Sequence, residues 1–402
     1  MRNLKKKPHE KYSIDQEELR KNLSLYNKKA DEYFSNIKEN PYHLNKPFEN
    51  PLETPEFLWR FALVLSNLRI GAGHTVLDFG CGTCWTSELL KRMDLMVYSL
   101  DVSQHALDIG KRVVGFDKRT QSRGKIDFIM FDGKTIPLPE NHVDRILCFD
   151  SFHHVPNCEA VLKEFFRILR PGGIVGFSEP GWGHSKSPQS IKEMETYEVV
   201  ENDILIDDIW KIAVKSGFNK GWVKPCLPIG FSIPINEFRS AKFGNYSKSL
   251  NRIVGNQFEN MSIFFLQKGD DIWDSRYPSR LTAEIRIPDN QIEVNEFSEI
   301  KIPITIKNTG DTRWLSKTFN SKGEVRLGVH LYDKDFKLLN LDFDRLMLPM
   351  DVDSGEMTDI PYQRHIQLSK GEYILCFDMV SECIKWFNDD ASLLTTIKLK
   401  IK

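Results

Sequence analysis

The chain has 402 residues, enough for two domains with separate hydrophobic cores. Its 55 basic and 56 acidic residues give a net charge of −1, so the composition does not favour a nucleic-acid partner. No apolar run approaches the roughly 18 residues that a membrane span needs, and no apolar segment follows the basic N-terminus as in a signal peptide. Seven scattered cysteines do not resemble a disulfide framework. The sequence therefore predicts a cytoplasmic protein without a membrane span.

The first two thirds of the chain carry a helical pattern and then an alternating one. Residues 1–50 are polar with helical spacing and predict an N-terminal helical extension. From Thr75 to Gly176, five short apolar strands alternate with amphipathic helices; the strands are TVLDFG, MVYSLD, IDFIMFD, VDRILCFDSF and GIVGFSEP. This alternation predicts an α/β domain over 51–272, built on a doubly wound, mostly parallel sheet. A pair of helices is predicted within EVVENDILIDDIWKIAVKSGF.

The pattern changes after Trp273. Polar and apolar residues then alternate, with turn signals every 8 to 12 positions and no helical stretch between them. This spacing is typical of a small all-β sandwich, which we predict over 280–402. The segment QKGDDIWDSRYPSR is the predicted linker between the two domains.

The stretch VLDFGCGTCW, at the first strand-to-helix turn, allows two interpretations. Cys81 and Cys84 form a CxxC pair, which suggests a redox dithiol or half of a zinc site. Gly80 and Gly82 instead suggest a loop that approaches a cofactor at the carboxyl edge of the sheet. A dinucleotide loop would carry a third glycine where this chain has Trp85, so NAD and FAD are disfavoured.

Two acids accompany these glycines. Asp78 precedes the loop, where its carboxylate can orient the turn and offset a cationic ligand. Asp101 ends the next strand, a position from which a carboxylate can accept hydrogen bonds from both ribose hydroxyls. S-adenosylmethionine (SAM), which has a ribose and a sulfonium but no phosphate, fits such a site.

Four motifs in order and spacing, VLDFGCGT, YSLDVS, IMFDGKTIPLPENHVDRILCFDSFHHVPN and LRPGG, resemble those of class I SAM-dependent methyltransferases of type 11 and 12. The match spans about 74–180 and implies a Rossmann-like fold. The resemblance also implies that the loops after the first four strands bind SAM. The residues concerned are Asp78, Gly80, Cys81, Gly82, Thr83, Asp101, Val102, Asp132, Gly133, Asp150 and Ser151. Among them, Asp132 would accept the adenine amino group.

The chain departs from the family at Cys84, where a glycine is common. We expect this position in the first helical turn, where a small side chain is tolerated. The thiols do not resemble a thioredoxin motif, because Trp85 follows the second cysteine instead of preceding the first. A zinc site would need two further ligands at suitable spacing. We therefore expect SAM in this loop and no metal.

Candidate catalytic residues follow the fourth and fifth strands. A hydroxyl acceptor needs a general base, and histidine suits this task near neutral pH. His153 and His154 come directly after the fourth strand, and His154 matches a histidine often found there in the family. Glu179 and His184 follow the fifth strand in a predicted acceptor-binding loop. The alternative is that one histidine of the pair only bonds to neighbouring backbone.

The predicted sandwich contains VRLGVHLYD and GEYILCFDMV and resembles β-sandwich modules of bacterial surface-polysaccharide enzymes, some of which bind glycan. Trp314 and Trp386 are candidate sugar platforms, with core packing as the alternative. The other alternative for the module is docking to a partner protein.

The sequence as a whole predicts methyl transfer from SAM to a hydroxyl of a sugar or polysaccharide intermediate. A small-molecule or quinone-like acceptor and a non-catalytic, glycan-binding scaffold are the alternatives. The CFDSFHH stretch lacks the stacking aromatic and amide of nucleic-acid amino methyltransferases, which disfavours such a substrate.

Overall fold

The computed structural model describes residues 21–37, 44–114, 123–225, 232–235, 238, 239, 242, 244, 261–278, 280–365, 367–390 and 392–402. These residues form two compact units that divide between Asp270 and Asp271, with Gly71–His74 and Asp94–Met96 belonging to the second unit. The finer division into 1–50, 51–272 and 280–402 stays a prediction, and residues 1–20 of the predicted extension lie outside the described ones. No helix in these described ranges is long and apolar enough to span a membrane.

The first unit is built on a seven-stranded sheet in the order β3-β2-β1-β4-β5-β7-β6. The strands are β1 (Thr75–Phe79), β2 (Met96–Asp101), β3 (Lys125–Met130), β4 (Val143–Phe149), β5 (Leu169–Pro180), β6 (Lys220–Val223) and β7 (Met261–Gln267). β4 runs parallel to β1 and β5, whereas β7 is antiparallel to β5 and β6. The fold is thus Rossmann-like and mostly parallel, as predicted. The strand order reverses between β1 and β4, which is where such sheets bind ligands.

The described helices of this unit are α1 (Leu23–Ile37), α2 (Thr54–Leu68), α3 (Trp85–Arg92), α4 (Gln104–Val113), α5 (Cys158–Ile168), α6 (Pro188–Tyr197) and α7 (Ile206–Ser216). Two of those that follow strands begin at side-chain caps. Ser103 Oγ accepts the N–H of Ala106 at the start of α4, and Asn157 Oδ1 accepts that of Ala160 at the start of α5. These caps fix where the loops at the carboxyl edge end.

The central strand β4 is buried along its whole length, although it contains Arg145. The guanidinium donates hydrogen bonds to the backbone carbonyls of Leu68, Arg69 and Asp144. A buried charge is tolerated when such acceptors replace water. The apolar residues around it place β4 at the centre of the sheet, beside β1.

The predicted helix pair between residues 198 and 218 is wrong in its first half. Only α7 is helical there, while α6 lies earlier and begins at the end of the predicted acceptor-binding loop. Ser187 Oγ accepts the N–H of Ser190, and Pro188 occupies the first turn, so α6 has a strong start. It ends at Glu198, whose φ of 55° is left-handed.

The second unit is β-rich, with mostly antiparallel sheets. Its strands are β8 (Ala283–Arg286), β9 (Gln291–Val294), β10 (Glu299–Ile302), β11 (Thr305–Asn308), β12 (Val325–Asp333), β13 (Leu338–Met347), β14 (Met357–Asp359), β15 (Tyr362–His365), β16 (Gly371–Ser381), β17 (Lys385–Trp386) and β18 (Thr395–Ile401). Inward residues of its sheets share one hydrophobic core, in which Trp314 is wholly buried. Its arrangement as a sandwich stays a prediction.

Candidate functional site

A cavity of about 250 Å³ opens at the carboxyl ends of β1, β2 and β4. The loops after these strands form one part of its wall, and α1 supplies much of the rest. Of the predicted site residues, the cavity is lined by Gly80, Cys81, Gly82, Thr83, Asp101, Val102, Gly133, Asp150, Ser151 and His154. The structure therefore brings together most of the predicted cofactor-binding residues and one predicted catalytic histidine.

The Gly80–Thr83 loop is held tightly against the neighbouring strand. The backbone N–H groups of Gly80 and Cys81 both donate to the carbonyl of Leu100, at 2.8 and 3.0 Å. Gly80 has a φ of 65°, and a Cβ there would lie 2.6 Å from the Cβ of Ser151. Only glycine fits this conformation and this space, so the loop can pass close to Ser151 and still face the cavity.

The two predicted acids have different surroundings. Asp101 lines the cavity, and its Oδ2 and Oδ1 accept the N–H groups of Gly82 and Ser103, each at 2.9 Å. Burial raises the pKa of Asp101 despite these hydrogen bonds. Asp78 is buried behind the loop, where Thr86 and Ser87 hydroxyls donate to its Oδ2 at 2.6 and 2.5 Å. Burial raises the pKa of Asp78 to about 6, and its contacts anchor α3 rather than face the cavity.

Residues after β3 and β4 complete the wall. The backbone of Gly133 lines the cavity, whereas Asp132 is exposed and its Oδ1 accepts the N–H groups of Lys134 and Thr135. Asp132 thus shapes the turn, and the structure does not place its carboxylate in the cavity. Asp150 lines the cavity and is paired with the Arg60 guanidinium.

Cys84 is the N-cap residue of α3 and lies in the left-handed region, with φ 65° and ψ 25°. The expected position in the first helical turn is therefore wrong. This conformation explains why glycine is suited to the position. The thiol is fully buried, 3.5 Å from the Sγ of Cys81. A Cβ on Gly110 of α4 would lie 2.4 Å from it, so the glycine makes room for the thiol.

His153 is held inside the protein by Glu179. Its Nδ1 lies 2.7 Å from Oε2 of Glu179, and the same carboxylate accepts the N–H groups of Ser151 and Phe152. Burial lowers the pKa of His153 well below its ordinary value and raises that of Glu179 to about 7. Neither residue lines the cavity, but Glu179 bonds to the backbone of Ser151, which does.

His154 lines the cavity, and its side chain is 43% exposed. Its Nδ1 lies 2.7 Å from the carbonyl oxygen of Val200. A carbonyl only accepts hydrogen bonds, so Nδ1 carries the proton of the neutral ring and Nε2 keeps its lone pair. Nε2 makes no hydrogen bond within the described part of the chain. The backbone thus fixes Nδ1, and Nε2 is left as a hydrogen-bond acceptor.

His184 lies outside the cavity wall, against a buried acid that the sequence analysis did not identify. Its Nε2 lies 2.6 Å from Oε2 of Glu201. Burial lowers the pKa of His184, but the hydrogen bond to Glu201 and its charge outweigh this effect and raise it overall. Trp182, in the predicted acceptor loop, is 53% exposed and also lies off the cavity wall.

Three contributions to the site were missed from the sequence. The α1 helix lines the cavity with Tyr26, Tyr33 and Phe34. Arg60 of α2 forms an ion pair with Asp150. The Glu201 carboxylate lies within 4 Å of the rings of His153 and His184. The aromatic spacing within LYNKKADEYF was a usable signal for a buried helix face. Nothing in the sequence pattern indicated which surface that face covers.

Comparisons with known proteins match the first unit to methyltransferases. Residues 77–177 match the protein-family model described as a methyltransferase domain. The chain is 30% identical over 119 residues to the methyltransferase GfsG of Streptomyces halstedii, and 31% identical over 120 residues to a demethylmenaquinone methyltransferase of Staphylococcus saprophyticus. The matches cover 28% and 29% of this chain, and 40% and 48% of those relatives.

A solved structure of phosphoethanolamine N-methyltransferase 2 from Haemonchus contortus, in complex with SAM, is 18% identical, with a TM-score of 0.43. The alignment covers 62% of this chain and 60% of that one. The family match confirms the predicted resemblance of residues 77–177 to a methyltransferase domain. The predicted likeness of the β-rich unit to modules of surface-polysaccharide enzymes stays a prediction. The chain spans less than half the length of the two relatives named above.

Proposed function

We propose that the protein transfers a methyl group from SAM to a hydroxyl oxygen of a sugar or polysaccharide intermediate. The observation that carries the proposal is that one cavity is lined by the Gly80–Thr83 loop, Asp101 and His154. These residues combine a cofactor cradle and a base at the switch point of the sheet.

The described residues fit SAM. Gly80 lets the loop pass close to Ser151, and Asp101 lines the same cavity beside it. SAM supplies an already activated methyl group, so the protein must chiefly hold the acceptor in line with it. The pairing of Asp150 with Arg60 fixes one side chain of the wall for this task.

His154 is the proposed general base. Because Val200 holds the proton on Nδ1, Nε2 can receive the proton of an acceptor hydroxyl as its oxygen attacks. His153, Glu179 and His184 are then positioning residues that do not line the cavity. Glu179 and His153 hold the turn that carries His154, and His184 holds Glu201 beside that turn.

A quinone-like or other small apolar acceptor is the second candidate. The cavity wall includes the aromatic residues Tyr26, Phe34, Phe57, Trp85 and Phe149, which favour an acceptor with an apolar body. A non-catalytic scaffold is disfavoured, because the loop glycines, Asp101 and His154 are all in place.

For the β-rich unit, binding of a glycan or a partner protein remains a proposal. Trp314 is wholly buried, and Trp386 packs against Arg345 and His330. Neither indole is therefore a free platform for a sugar ring, which favours a partner protein. We also propose that the protein is cytoplasmic.

The test is an acceptor screen in which the purified full chain receives SAM with a deuterated methyl group. Nucleotide sugars, oligosaccharides and hydroxyquinones are offered separately, and labelled products are detected by mass spectrometry. Labelled sugar ethers support the proposal, and label only in the quinones supports the second candidate. No label in any hydroxyl acceptor, from protein that binds SAM, would overturn both.

A further inference from the structure

Two imidazoles and one buried carboxylate converge beside the cavity. One nitrogen or oxygen atom from each of His153, His154 and Glu201 lies within 4.8 Å of the others. Nε2 of His153 is 3.8 Å from Oε2 of Glu201, and Nδ1 of His154 is 3.3 Å from Oε1. Ligands at about 2.0–2.2 Å from one tetrahedral zinc ion are themselves about 3.3–3.6 Å apart. The separation of His154 Nδ1 from Glu201 Oε1 matches this spacing, and all three side chains offer a ligand atom within 4.8 Å of the others.

Glu201 has an oxygen without a hydrogen-bond partner. Its side chain is only 2% exposed, yet Oε1 accepts no hydrogen bond from any described residue. Leaving a buried charged oxygen unsatisfied is costly, so such atoms call for an explanation. Oε1 is the oxygen that lies beside His154, on the side of the cluster nearest the cavity.

The other atoms of the cluster are held by outer partners. Nδ1 of His153 is hydrogen-bonded to the Glu179 carboxylate, and Oε2 of Glu201 is hydrogen-bonded to Nε2 of His184. Metal sites use such contacts to orient their imidazole and carboxylate ligands. Here they leave Nε2 of His153 and Oε1 of Glu201 as the atoms free to bind.

We propose that His153, His154 and Glu201 bind one divalent transition-metal ion. Two imidazoles and one carboxylate suit zinc, iron, nickel or manganese, whereas magnesium and calcium prefer oxygen ligands. Binding requires that Nδ1 of His154 give up its proton and its hydrogen bond to Val200, and the charge of the cation offsets that of the buried Glu201. This inference concerns binding alone and does not rest on the proposed function.

Metal binding changes which ring nitrogen of His154 carries the proton. With a cation on Nδ1, the neutral ring carries its proton on Nε2 and becomes a donor. The metal-loaded protein is then not the form in which His154 accepts a proton. The site thereby links metal content to the state of one residue on the cavity wall.

The test uses the full chain, treated with a chelator, dialysed and titrated with Zn²⁺ by calorimetry. We expect one ion per chain, not displaced by excess Mg²⁺. With Co²⁺ as a spectroscopic probe, visible d–d bands should appear without the near-ultraviolet charge-transfer band of thiolate ligands. A thiolate band or a failure to bind Zn²⁺ would overturn the proposal.

Two cluster variants and two controls complete the experiment. Glu201→Gln and His154→Ala should each weaken Zn²⁺ binding by more than about 10-fold. Glu201 is buried and its variant can fail to fold, whereas His154 is 43% exposed, so His154→Ala keeps the test decisive. The controls are His365→Ala, an exposed histidine of β15, and the double change Cys81→Ser with Cys84→Ser. Unchanged affinity in His154→Ala, or loss in the cysteine variant alone, would refute the assignment.

Discussion

Oδ2 of Asp101, at the end of β2, accepts a 2.9 Å hydrogen bond from the backbone N–H of Gly82 in the loop after β1. Its Oδ1 accepts another from Ser103, at the cap of α4. One buried carboxylate thus ties together the loop that lines the cavity and the helix that follows the neighbouring strand. This geometry gives Asp101 both a structural role and a place at the proposed cofactor site.

Replacing Asp101 should weaken SAM binding. Asp101→Ala removes an acceptor for the ribose and the brace on Gly82, and we expect a loss of about 1–3 kcal/mol, roughly 5- to 150-fold in Kd. Calorimetric titration of the variant with SAM measures this. Asp108→Ala, at an exposed site on α4, is the matched control and should bind normally. Equal affinities in the two variants would refute the ribose assignment.

Replacing His154 should affect catalysis without affecting the cofactor. His154→Ala removes the proposed base, and we expect turnover of the acceptor found by the screen to fall about 10²- to 10⁴-fold. Affinity for SAM should stay unchanged, because the loop after β1 is untouched. His142→Ala, which removes a histidine bonded to Tyr98, serves as the control. A fully active His154→Ala would leave His154 with a structural role only.

Gly110 and Cys84 should be energetically coupled. Gly110→Ala would place a Cβ 2.4 Å from the Cys84 thiol and 3.3 Å from a ring carbon of Phe128. We expect a cost of about 1–3 kcal/mol in the free energy of unfolding. In a Cys84→Gly background the clashing thiol is absent, and alanine is preferred over glycine within a helix. The cost of Gly110→Ala should then fall below about 1 kcal/mol. Urea unfolding of the four proteins measures the coupling, and equal costs in both backgrounds would contradict the packing.

Asp78 should make stability depend on pH. Burial raises its pKa from 3.8 to about 6. As pH rises, Asp78 therefore loses its proton at a lower pH in the unfolded chain than in the folded one. Its contribution to the free energy of unfolding should fall by about 3 kcal/mol between about pH 4 and pH 6, and stay low above that. Asp78→Asn cannot ionise and keeps an acceptor for Thr86 and Ser87. Subtracting its unfolding free energies from those of the wild type isolates the effect, and parallel pH curves would contradict it.

The core of the β-rich unit should depend on Trp314. Trp314→Ala empties a fully buried site and should lower the free energy of unfolding by about 3–5 kcal/mol. Phe336→Ala, at an exposed aromatic of the same unit, should change it by less than about 0.5 kcal/mol. Chemical unfolding followed by far-ultraviolet circular dichroism compares the two, and a mild effect of Trp314→Ala would place the indole outside the core.

The alternating elements from Thr75 onward were predictable because their signals are local. A short apolar strand, a glycine turn and an amphipathic helix each leave a pattern within a few residues. The resulting sheet brings Gly80, Asp101 and Ser151 to one edge, as the carboxyl ends of parallel strands require.

The parts that were missed depend on backbone angles or on tertiary packing. The left-handed conformation of Cys84 follows from how α3 starts, and residue type alone does not indicate it. The helical spacing of α1 was visible in the sequence, but its contact with the cavity was not. Glu201 meets His153 across 48 positions of chain, and no periodic pattern connects residues that far apart.

The most direct test of the central claim is a calorimetric titration of the purified full chain with SAM, with NADH as the comparison. We expect one equivalent of SAM to bind in the micromolar range and NADH not to bind. A folded protein that does not bind SAM, or that binds NADH instead, would contradict the assignment of the Gly80–Thr83 loop as a SAM site.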